Sequence, residues 1–290
     1  MKLQDLLDEH GIPYRQVGES HHVTEGFLGI DCPFCSRDSG KFKLGYSLNG
    51  GFFTCWSCGY HRTIDVLSEL TGKPSRECYE LIGKIDRDYA RREKIQGKLQ
   101  LPSGVGTLLP IHKNYLIGRG FNPKTLVKLW SLMGIGLNYH LSWRILIPIH
   151  YHGQMVSWTT RSVGKDEKRY INASSEQEQM HAKDLLYGED YCRHGVVVVE
   201  GPADTWRMGP GSVAVLGTSI GNSQVEKILK YPVRAVCFDR EVEAQQRALA
   251  LCSKLEASPG KTTNIVLETG KDPAEADQKE IQEIRRRFLE

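Results

Sequence analysis

Two short stretches decide the fold: Val196-Val-Val-Val-Glu200-Gly-Pro202 and Arg234-Ala-Val-Cys-Phe-Asp239-Arg-Glu241. Each is a run of mostly apolar residues that ends in a carboxylate, and such continuous runs are typical of buried parallel strands. Helical patterns follow both runs. Ligand sites in open α/β sheets lie at the carboxyl ends of the strands, so we expect Glu200 and Asp239 at one edge of a single sheet.

Carboxylates that share one sheet edge repel each other unless a cation lies between them. Oxygen ligands suit Mg²⁺ or Mn²⁺, and two such ions can hold the attacking and leaving oxygens of a phosphoryl transfer. For either acid alone, a solvated strand end is the default interpretation, because loops are where charge normally lies. Together, and with more acid downstream, Glu200 and Asp239 favour a metal site.

The surrounding pattern alternates strands and helices, as a doubly wound α/β fold requires. Pro202 suits the first turn of a helix. The predicted strands cover 196–200, 212–216, 233–238 and 263–267. The predicted helices cover 202–209, 222–230, 241–257 and a last segment from Ala274.

Length and composition limit the classes of protein. The chain has 290 residues, 40% of them hydrophobic and 25% charged, which leaves room for two or three ordinary globular domains. A net charge of +3 permits a nucleic-acid partner without requiring one. The sequence contains no apolar run near the ~18 residues of a membrane span and no signal peptide, so we expect a cytoplasmic protein without membrane association.

Four of the eight cysteines occur as two C-x-x-C pairs, Cys32/Cys35 and Cys55/Cys58, with 19 residues between the pairs. This spacing is typical of a zinc ribbon, in which four thiolates bind one structural Zn²⁺ that stabilises a small module. A redox dithiol is the alternative for a single pair. The other cysteines are predicted to be packing residues.

Residues 41–53 between the two pairs alternate basic and apolar positions around Asn49-Gly50, which predicts a β-hairpin. Its cations Lys41 and Lys43, with Arg62 after the second pair, are candidates for contacting a nucleic-acid strand. His61 is a further candidate for the strand or for the zinc. The aromatic residues of the hairpin either stack on bases or shield the zinc, and they are Phe42, Phe52 and Phe53.

Helical spacing over Thr63–Leu70 and Ser75–Ile85 closes the first module, and a highly charged segment follows. The next block mixes short strands, polar turns and recurrent cations, which predicts an α+β subdomain. Taken singly, each cation has a surface charge as its default interpretation. These cations are Arg144, Arg161, Lys168, Arg169 and Lys183.

The order of these motifs resembles that of bacterial DnaG-type and phage DNA primases. After the zinc ribbon come the strand pattern 144–149, the box Arg169-Tyr-Ile-Asn172 and Leu186-Tyr-Gly188. The acidic motifs follow, and they are Glu200-Gly201 with Asp204, Gly217-Thr218, Asp239 and Lys271-Asp272-Pro273. The match covers nearly the whole chain, and the order of the motifs is more specific than any one of them.

The resemblance implies an RNA polymerase core that combines a basic subdomain with a Toprim domain. It implies that the metals lie on Glu200, Asp239 and Asp272, with Asp204 as a further acidic position. The template- and nucleotide-guiding cations fall on Arg161, Arg169 and, with a one-residue offset, Lys183. We predict a zinc-ribbon domain over 1–83, a charged linker over 84–105, a basic subdomain over 106–190 and a Toprim domain over 191–290.

Three features depart from the family pattern. The D-x-D motif reads Asp239-Arg240-Glu241, and the Ala-Gly that follows it in the family is Glu243-Ala244 here. The second acid after Lys-Asp-Pro is replaced by Ala274. The zinc ligands are four cysteines, as in several phage primases, where bacterial relatives often use a histidine.

These patterns predict a primase that makes short RNA on a single-stranded DNA template from ribonucleoside triphosphates. Two or more Mg²⁺ or Mn²⁺ ions would lie on Glu200, Asp239, Glu241 and Asp272. Since the chain stops at Glu290, we expect any replicative helicase to be a separate protein. A catalytically decayed DNA-binding or helicase-recruiting module and a Toprim nuclease are the alternatives.

Overall fold

The computed structural model describes residues 2–24, 26–48, 51–85, 98–164, 166, 168–217 and 219–290. The chain divides into two compact units. The first contains Met1–Arg92, Val225–Pro232 and Ala250–Thr262. The second contains Glu93–Gln224, Val233–Leu249 and Thr263–Glu290. The predicted turn at Asn49-Gly50, the linker residues 86–97 and Thr218 lie outside the described residues, and the predicted domain boundaries stay a prediction.

The N-terminal part of the first unit is an antiparallel sheet flanked by helices. The strands follow the order β1-β2-β3-β4-β5 and are Tyr14–Arg15, Phe27–Ile30, Leu44–Ser47, Phe53–Cys55 and Gly59–His61. The helices α1, α2 and α3 are Leu3–Glu9, Thr63–Thr71 and Ser75–Lys84. Strands β3 and β4 pair antiparallel, which confirms the strands of the predicted hairpin.

The aromatic residues of this hairpin belong to the interior. Phe52 and Phe53 are 0% exposed and Phe42 is 8% exposed. Phe53 packs in a core with leucines of α1, among them Leu3, and with Val66 and Leu67 of α2. Of the two interpretations that the sequence left open for these aromatic residues, burial favours packing over base stacking.

The second unit begins with a mixed subdomain built on another antiparallel sheet. The strands follow the order β10-β9-β8-β7-β6, and β6 to β10 are Val105–Gly106, Met133–Ile135, Arg144–Tyr151, Gln154–Ser162 and Tyr170–Asn172. The helices α4 and α5 are Pro110–Gly118 and Pro123–Trp130. Both helices carry proline in the first turn, where its missing N–H removes no hydrogen bond. This arrangement agrees with the predicted α+β character.

A four-stranded sheet follows, most of it in the second unit, and its paired strands β11/β12 and β11/β13 run parallel. The order is β12-β11-β13-β14, and the strands are Gly195–Val199, Ser212–Ala214, Val233–Val236 and Lys261–Asn264. Helices α6 to α9 are Pro202–Met208, Asn222–Leu229, Val242–Glu256 and Gln278–Phe288. The four valines at 196–199 are all 0% exposed, as expected for a central strand. The predicted α/β core is therefore confirmed.

Two predicted elements are displaced near the C-terminus. Strand β14 covers Lys261–Asn264 rather than 263–267, and α9 begins at Gln278 rather than at Ala274. Residues before α9 form a turn instead, because the carbonyl of Asp272 accepts hydrogen bonds from the N–H groups of Glu275 and Ala276. Among the residues that the structure describes, the helices include none long and apolar enough to cross a lipid bilayer.

Candidate active site and zinc centre

The four predicted zinc ligands lie together. The Sγ atoms of Cys32, Cys35, Cys55 and Cys58 are all within 4.8 Å of one another. Cys32 and Cys58 are 3.6 Å apart between sulfurs, as are Cys35 and Cys55. A tetrahedral zinc with bonds of ~2.3 Å to sulfur has sulfurs ~3.8 Å apart, so the group fits a single Zn²⁺.

The first knuckle is held by Asp31, the residue before Cys32. Its carboxylate accepts hydrogen bonds from the backbone N–H groups of Gly40 at 2.7 Å and Phe42 at 2.8 Å. At the second knuckle, the N–H of Ser57 donates to the Sγ of Cys55 at 3.4 Å. Each C-x-x-C segment therefore has a hydrogen bond from or beside it to residues close by in the sequence.

His61 contacts the zinc ligands without replacing one of them. Its Nε2 atom lies 3.0 Å from the Sγ of Cys58, and its ring stacks on Phe34 with centroids 4.2 Å apart. A metal-bound thiolate can only accept, so His61 is then the donor. The structure thus places His61 beside the four cysteines, where the sequence left its partner open.

Three aspartates from distant parts of the chain meet at the carboxyl end of the parallel sheet. Asp239 follows β13, Asp204 is the third residue of α6, and Asp272 lies between β14 and α9. Carboxylate oxygens of all three lie within 4.8 Å of one another. The parallel pairing of β11 with β13 produces this arrangement, because it brings the loops after both strands to one edge.

Asp204 connects two of the acidic loops. It is 6% exposed, and its two oxygens accept hydrogen bonds from the N–H groups of Gly201 at 2.9 Å and Ala274 at 3.3 Å. Burial, followed by the charges of Asp272 and Asp239, raises the pKa of Asp204 to about 8. At Ala274, where DnaG-type primases have a second acid, the backbone N–H therefore contacts the acidic group.

The pKa of Asp239 is raised by the same kinds of cause. Burial, then the charges of Glu200, Asp272 and Glu241, raise its pKa to about 7, while Arg247 lowers it. A divalent cation would strongly stabilise an all-oxygen group in which like charges are crowded in this way. The donor set fits Mg²⁺ or Mn²⁺ rather than a softer metal.

Glu200 and Glu241 lie beside this group. Their charges act on Asp239, which places both near it. The carboxylate of Glu200 receives the Nη2 group of Arg247, at 2.9 Å to Oε1 and 3.2 Å to Oε2. The structure therefore brings Asp204, which the resemblance implied as a further acidic position, into the central group. It also gives Glu200 an arginine partner, which the sequence did not predict.

The predicted cations of the mixed subdomain fall into two sets. Arg144 is 2% exposed and bonds to Thr160, to Asp166 and to the carbonyls of Lys168 and Arg169, so it connects these residues to the sheet. Arg161, 8% exposed, donates to the hydroxyl of Tyr115 at 2.9 Å. Both guanidinium groups are engaged inside the fold.

The other predicted cations are more accessible. Lys41, Arg62, Lys168 and Arg169 are exposed, and Lys43 and Lys183 are half-buried. Lys43 donates to Ser57 Oγ at 3.1 Å, and Lys183 donates to the carbonyl of Ser219 at 2.8 Å. The cations on the zinc-ribbon segment belong to the first unit, and those of the mixed subdomain belong to the second.

Arg119 is a functional candidate that the sequence reasoning missed. It caps the C-terminus of α4. Although burial opposes the charged form, a hydrogen bond with Tyr115 and the charge of Asp272 raise the pKa of Arg119. Arg119 is therefore a cation within the field of the acidic group. A lone arginine between Gly118 and Gly120 at the end of a helical pattern was the available signal.

Comparisons with known proteins agree with the motifs, although no family model matches the chain. A DNA primase of Synechocystis sp. is 26% identical over 208 residues, which cover 62% of this chain and 32% of the relative. The chain thus spans about a third of the length of that curated relative.

Two solved structures show the fold. The zinc-binding and RNA polymerase domains of the Aquifex aeolicus primase match with a TM-score of 0.52 and 19% identity, over 99% of this chain and 82% of that one. A DnaG primase catalytic domain bound to single-stranded DNA matches with a TM-score of 0.52 and 15% identity, over 62% and 73%. The predicted resemblance to DnaG-type primases and the predicted fold class are confirmed.

Proposed function

We propose that this chain is a DNA primase that makes short RNA primers de novo on single-stranded DNA by nucleotidyl transfer. The observation that carries the proposal is the group of Asp204, Asp239 and Asp272 at the carboxyl end of the parallel sheet. This group lies on a fold that the chain shares with primase catalytic domains. One of those relatives is bound to single-stranded DNA, which supports DNA as the template here.

In this proposal the acidic side chains hold two or more Mg²⁺ or Mn²⁺ ions, and Asp239 is the central ligand. Glu200, Glu241 and Asp272 complete the set, with Asp204 as a further ligand. Two bound ions would activate the 3′ hydroxyl of one ribonucleotide and neutralise the pyrophosphate that leaves the other. Asp204 also positions the loops of Gly201 and Ala274 through its two backbone hydrogen bonds.

The cations of the second unit orient the phosphates. Lys168 and Arg169 are exposed and suited to contact with template or triphosphate, and Lys183 adds a third charge. Arg161 and Arg144 act through the protein instead. Arg161 orders Tyr115 and Tyr170, and its guanidinium lies 4.8 Å from the centre of the Tyr170 ring. Positioned charges of this kind lower the barrier by aligning reactants before the chemistry begins.

The zinc ribbon is the proposed template-holding module, with one structural Zn²⁺. Lys41, Lys43 and Arg62 supply charge for phosphates. Two knuckle aromatics, Phe34 and Trp56, are 43% and 50% exposed, and exposed rings of this kind can stack on unpaired bases. We further propose that the protein works in the cytoplasm of a bacterium or a phage-infected host, beside a separate replicative helicase.

The test is an assay with single-stranded DNA, labelled ribonucleotides and Mg²⁺ or Mn²⁺. New short RNA supports the proposal. Glu200→Gln should remove most of the synthesis, while Glu283→Gln on the exposed face of α9 serves as the matched control. Full primer synthesis by Glu200→Gln would defeat the assignment of Glu200.

The same assay separates the alternatives. A catalytically decayed DNA-binding or helicase-recruiting module would give no product, and a nuclease would shorten the DNA. Glu241 and Ala274, which depart from the family motifs, are the residues that favour the decayed module. The arrangement around Asp204 argues for activity, because the backbone of Ala274 still contributes to the acidic group.

A further inference from the structure

Arg247 forms an ion pair with the acid at the end of the central strand. It lies on α8, and a single nitrogen, Nη2, is within hydrogen-bond distance of both oxygens of Glu200, at 2.9 Å and 3.2 Å. The side chains of Arg247 and Glu200 are 31% and 19% exposed. A partly buried pair of this kind is screened less by solvent than a surface pair.

The pair lies at the edge of the three-aspartate group. After burial, the charge of Glu200 is the largest cause of the raised pKa of Asp239, and Arg247 acts on the same carboxyl in the opposite direction. Among the described residues, one acidic group of three has oxygens that all lie within 4.8 Å of one another, and its members are Asp204, Asp239 and Asp272. Glu200 is therefore close to the group but is held by a cation that the protein supplies.

We propose that Arg247 is a built-in counter-ion that competes with a divalent metal ion for Glu200. The site would then load in two steps, first onto the three aspartates and then onto Glu200 once Arg247 has released it. This inference rests on the proposed function, since it concerns the same ions. It goes further by making Arg247 the residue that sets the affinity of the second ion.

The physical reason is a difference between the two states of Glu200. A carboxylate with an arginine partner must give up that hydrogen-bonded pair before it can coordinate a metal. The cost of separating the pair is subtracted from the affinity of the second ion. The three aspartates have no such pair to separate in this comparison, because a metal ion placed between their carboxylates replaces mutual repulsion with attraction.

The opposite role for Arg247 makes the opposite prediction. If Arg247 only held Glu200 in its metal-binding position, removing the guanidinium would free the carboxylate to move and would weaken metal binding. Competition instead predicts tighter binding. The sign of the change in metal affinity therefore distinguishes the two roles.

The experiment is a titration of the whole chain with Mn²⁺, without nucleotide or DNA, followed by electron paramagnetic resonance of the free ion. Wild type should show a tighter and a weaker class of ion. In Arg247→Gln and Arg247→Met the weaker ion should bind about tenfold more tightly, as loss of a charged hydrogen-bonded competitor implies. Arg247→Lys should stay near wild type, because it keeps the charge.

Two further variants complete the design. Arg286→Gln removes the same charge from an exposed position of α9 and should leave both classes unchanged. Glu200→Gln should abolish the weaker class whether or not Arg247 is present. Circular dichroism shows which variants fold, and the two uncharged replacements of Arg247 keep the test decisive if one does not.

Unchanged or weaker Mn²⁺ binding in the folded uncharged variants would overturn the inference. The outcome is separate from that of the primer assay, because the titration requires no synthesis. Tighter binding of the second ion together with an absence of primer synthesis would support the role of Arg247 and refute the proposed function. Primer synthesis together with unchanged Mn²⁺ binding would support the proposed function and refute the role of Arg247.

Discussion

The described residues include two groups of side chains suited to ligating a metal, and these groups are equally compact but differently built. In each, the ligand atoms lie within 4.8 Å of one another. The cysteine group comes from one segment, Cys32 to Cys58, in which Asp31 accepts hydrogen bonds from the N–H groups of Gly40 and Phe42. The acidic group comes from loops as far apart as Asp204 and Asp272. One group forms from local structure, whereas the other requires a folded sheet.

The difference predicts what each metal does for the protein. Four thiolates complete a tetrahedral shell and leave no open position, as in structural zinc sites. The carboxylates instead repel each other, and two of the three, Asp239 and Asp272, are only half-buried, so a metal ion bound there could take further ligands, as in catalytic sites. Removing zinc should therefore affect folding, and removing the divalent ions should affect activity. The predictions below test this contrast.

The largest effect is expected from loss of the zinc ligands. Cys55→Ser with Cys58→Ser should unfold the N-terminal module, because structural zinc contributes on the order of 10 kcal/mol to the folding of small zinc modules. Zinc content, far-UV circular dichroism and proteolytic protection of residues 2–85 are the measurements. Cys192→Ser, a buried cysteine outside the group, is the matched control. Protection that survived complete zinc removal would contradict the structural role.

Loss of an acidic ligand should lower activity and leave the fold intact. Asp239→Asn is expected to lower primer synthesis by on the order of 10²-fold or more, the magnitude typical of removing one key electrostatic group from an active site. Its thermal stability should stay the same or rise, because the change removes one of the crowded charges. Glu275→Gln, three residues from Asp272 and exposed, is the control. An unfolded Asp239→Asn protein would remove the distinction between the two groups.

A smaller effect is expected at His61, which touches the cysteine group without belonging to it. His61→Ala removes the donor 3.0 Å from the Sγ of Cys58. Partners of metal ligands typically contribute ~10-fold or more to metal affinity, so zinc should transfer faster to a chromophoric chelator. Cobalt substitution should still give the spectrum of a four-thiolate site. His194→Ala, an exposed histidine, is the control, and equal transfer rates would show that the contact is incidental.

Much of this contrast could be predicted from the sequence because it depends on local patterns. The C-x-x-C spacing determines which sulfurs meet, and the valine run before Glu200 predicts a central parallel strand. Both features are set within a few residues. The strands and helices of the parallel sheet followed from the same periodicity, apart from shifts at β14 and α9.

The remaining features depend on tertiary packing. The ion pair of Glu200 with Arg247 joins residues 47 positions apart, and it depends on which side of α8 faces the sheet edge. The contact of Asp204 with the N–H of Ala274 involves a backbone group, which no side-chain motif could indicate. The burial of Phe52 and Phe53 could not be predicted either, because an alternating hairpin pattern does not indicate which face is covered.

The last and smallest effect is a dependence of stability on pH that arises from the acidic group. It is measured in protein that contains zinc but no other divalent ion. The pKa values of Asp204, about 8, and Asp239, about 7, lie above the ordinary 3.8, so the folded chain binds protons that the unfolded chain releases. Stability should therefore be lost as pH rises from about 4 to 8, which lowers the melting temperature by a few degrees, roughly the shift that 1 kcal/mol produces. Scanning calorimetry should show a flatter trend in Asp239→Asn and in wild type with Mg²⁺. A wild-type melting temperature that rose over this range and did not respond to Mg²⁺ would mean that the carboxylates are not crowded, and the contrast with the cysteine group would fail.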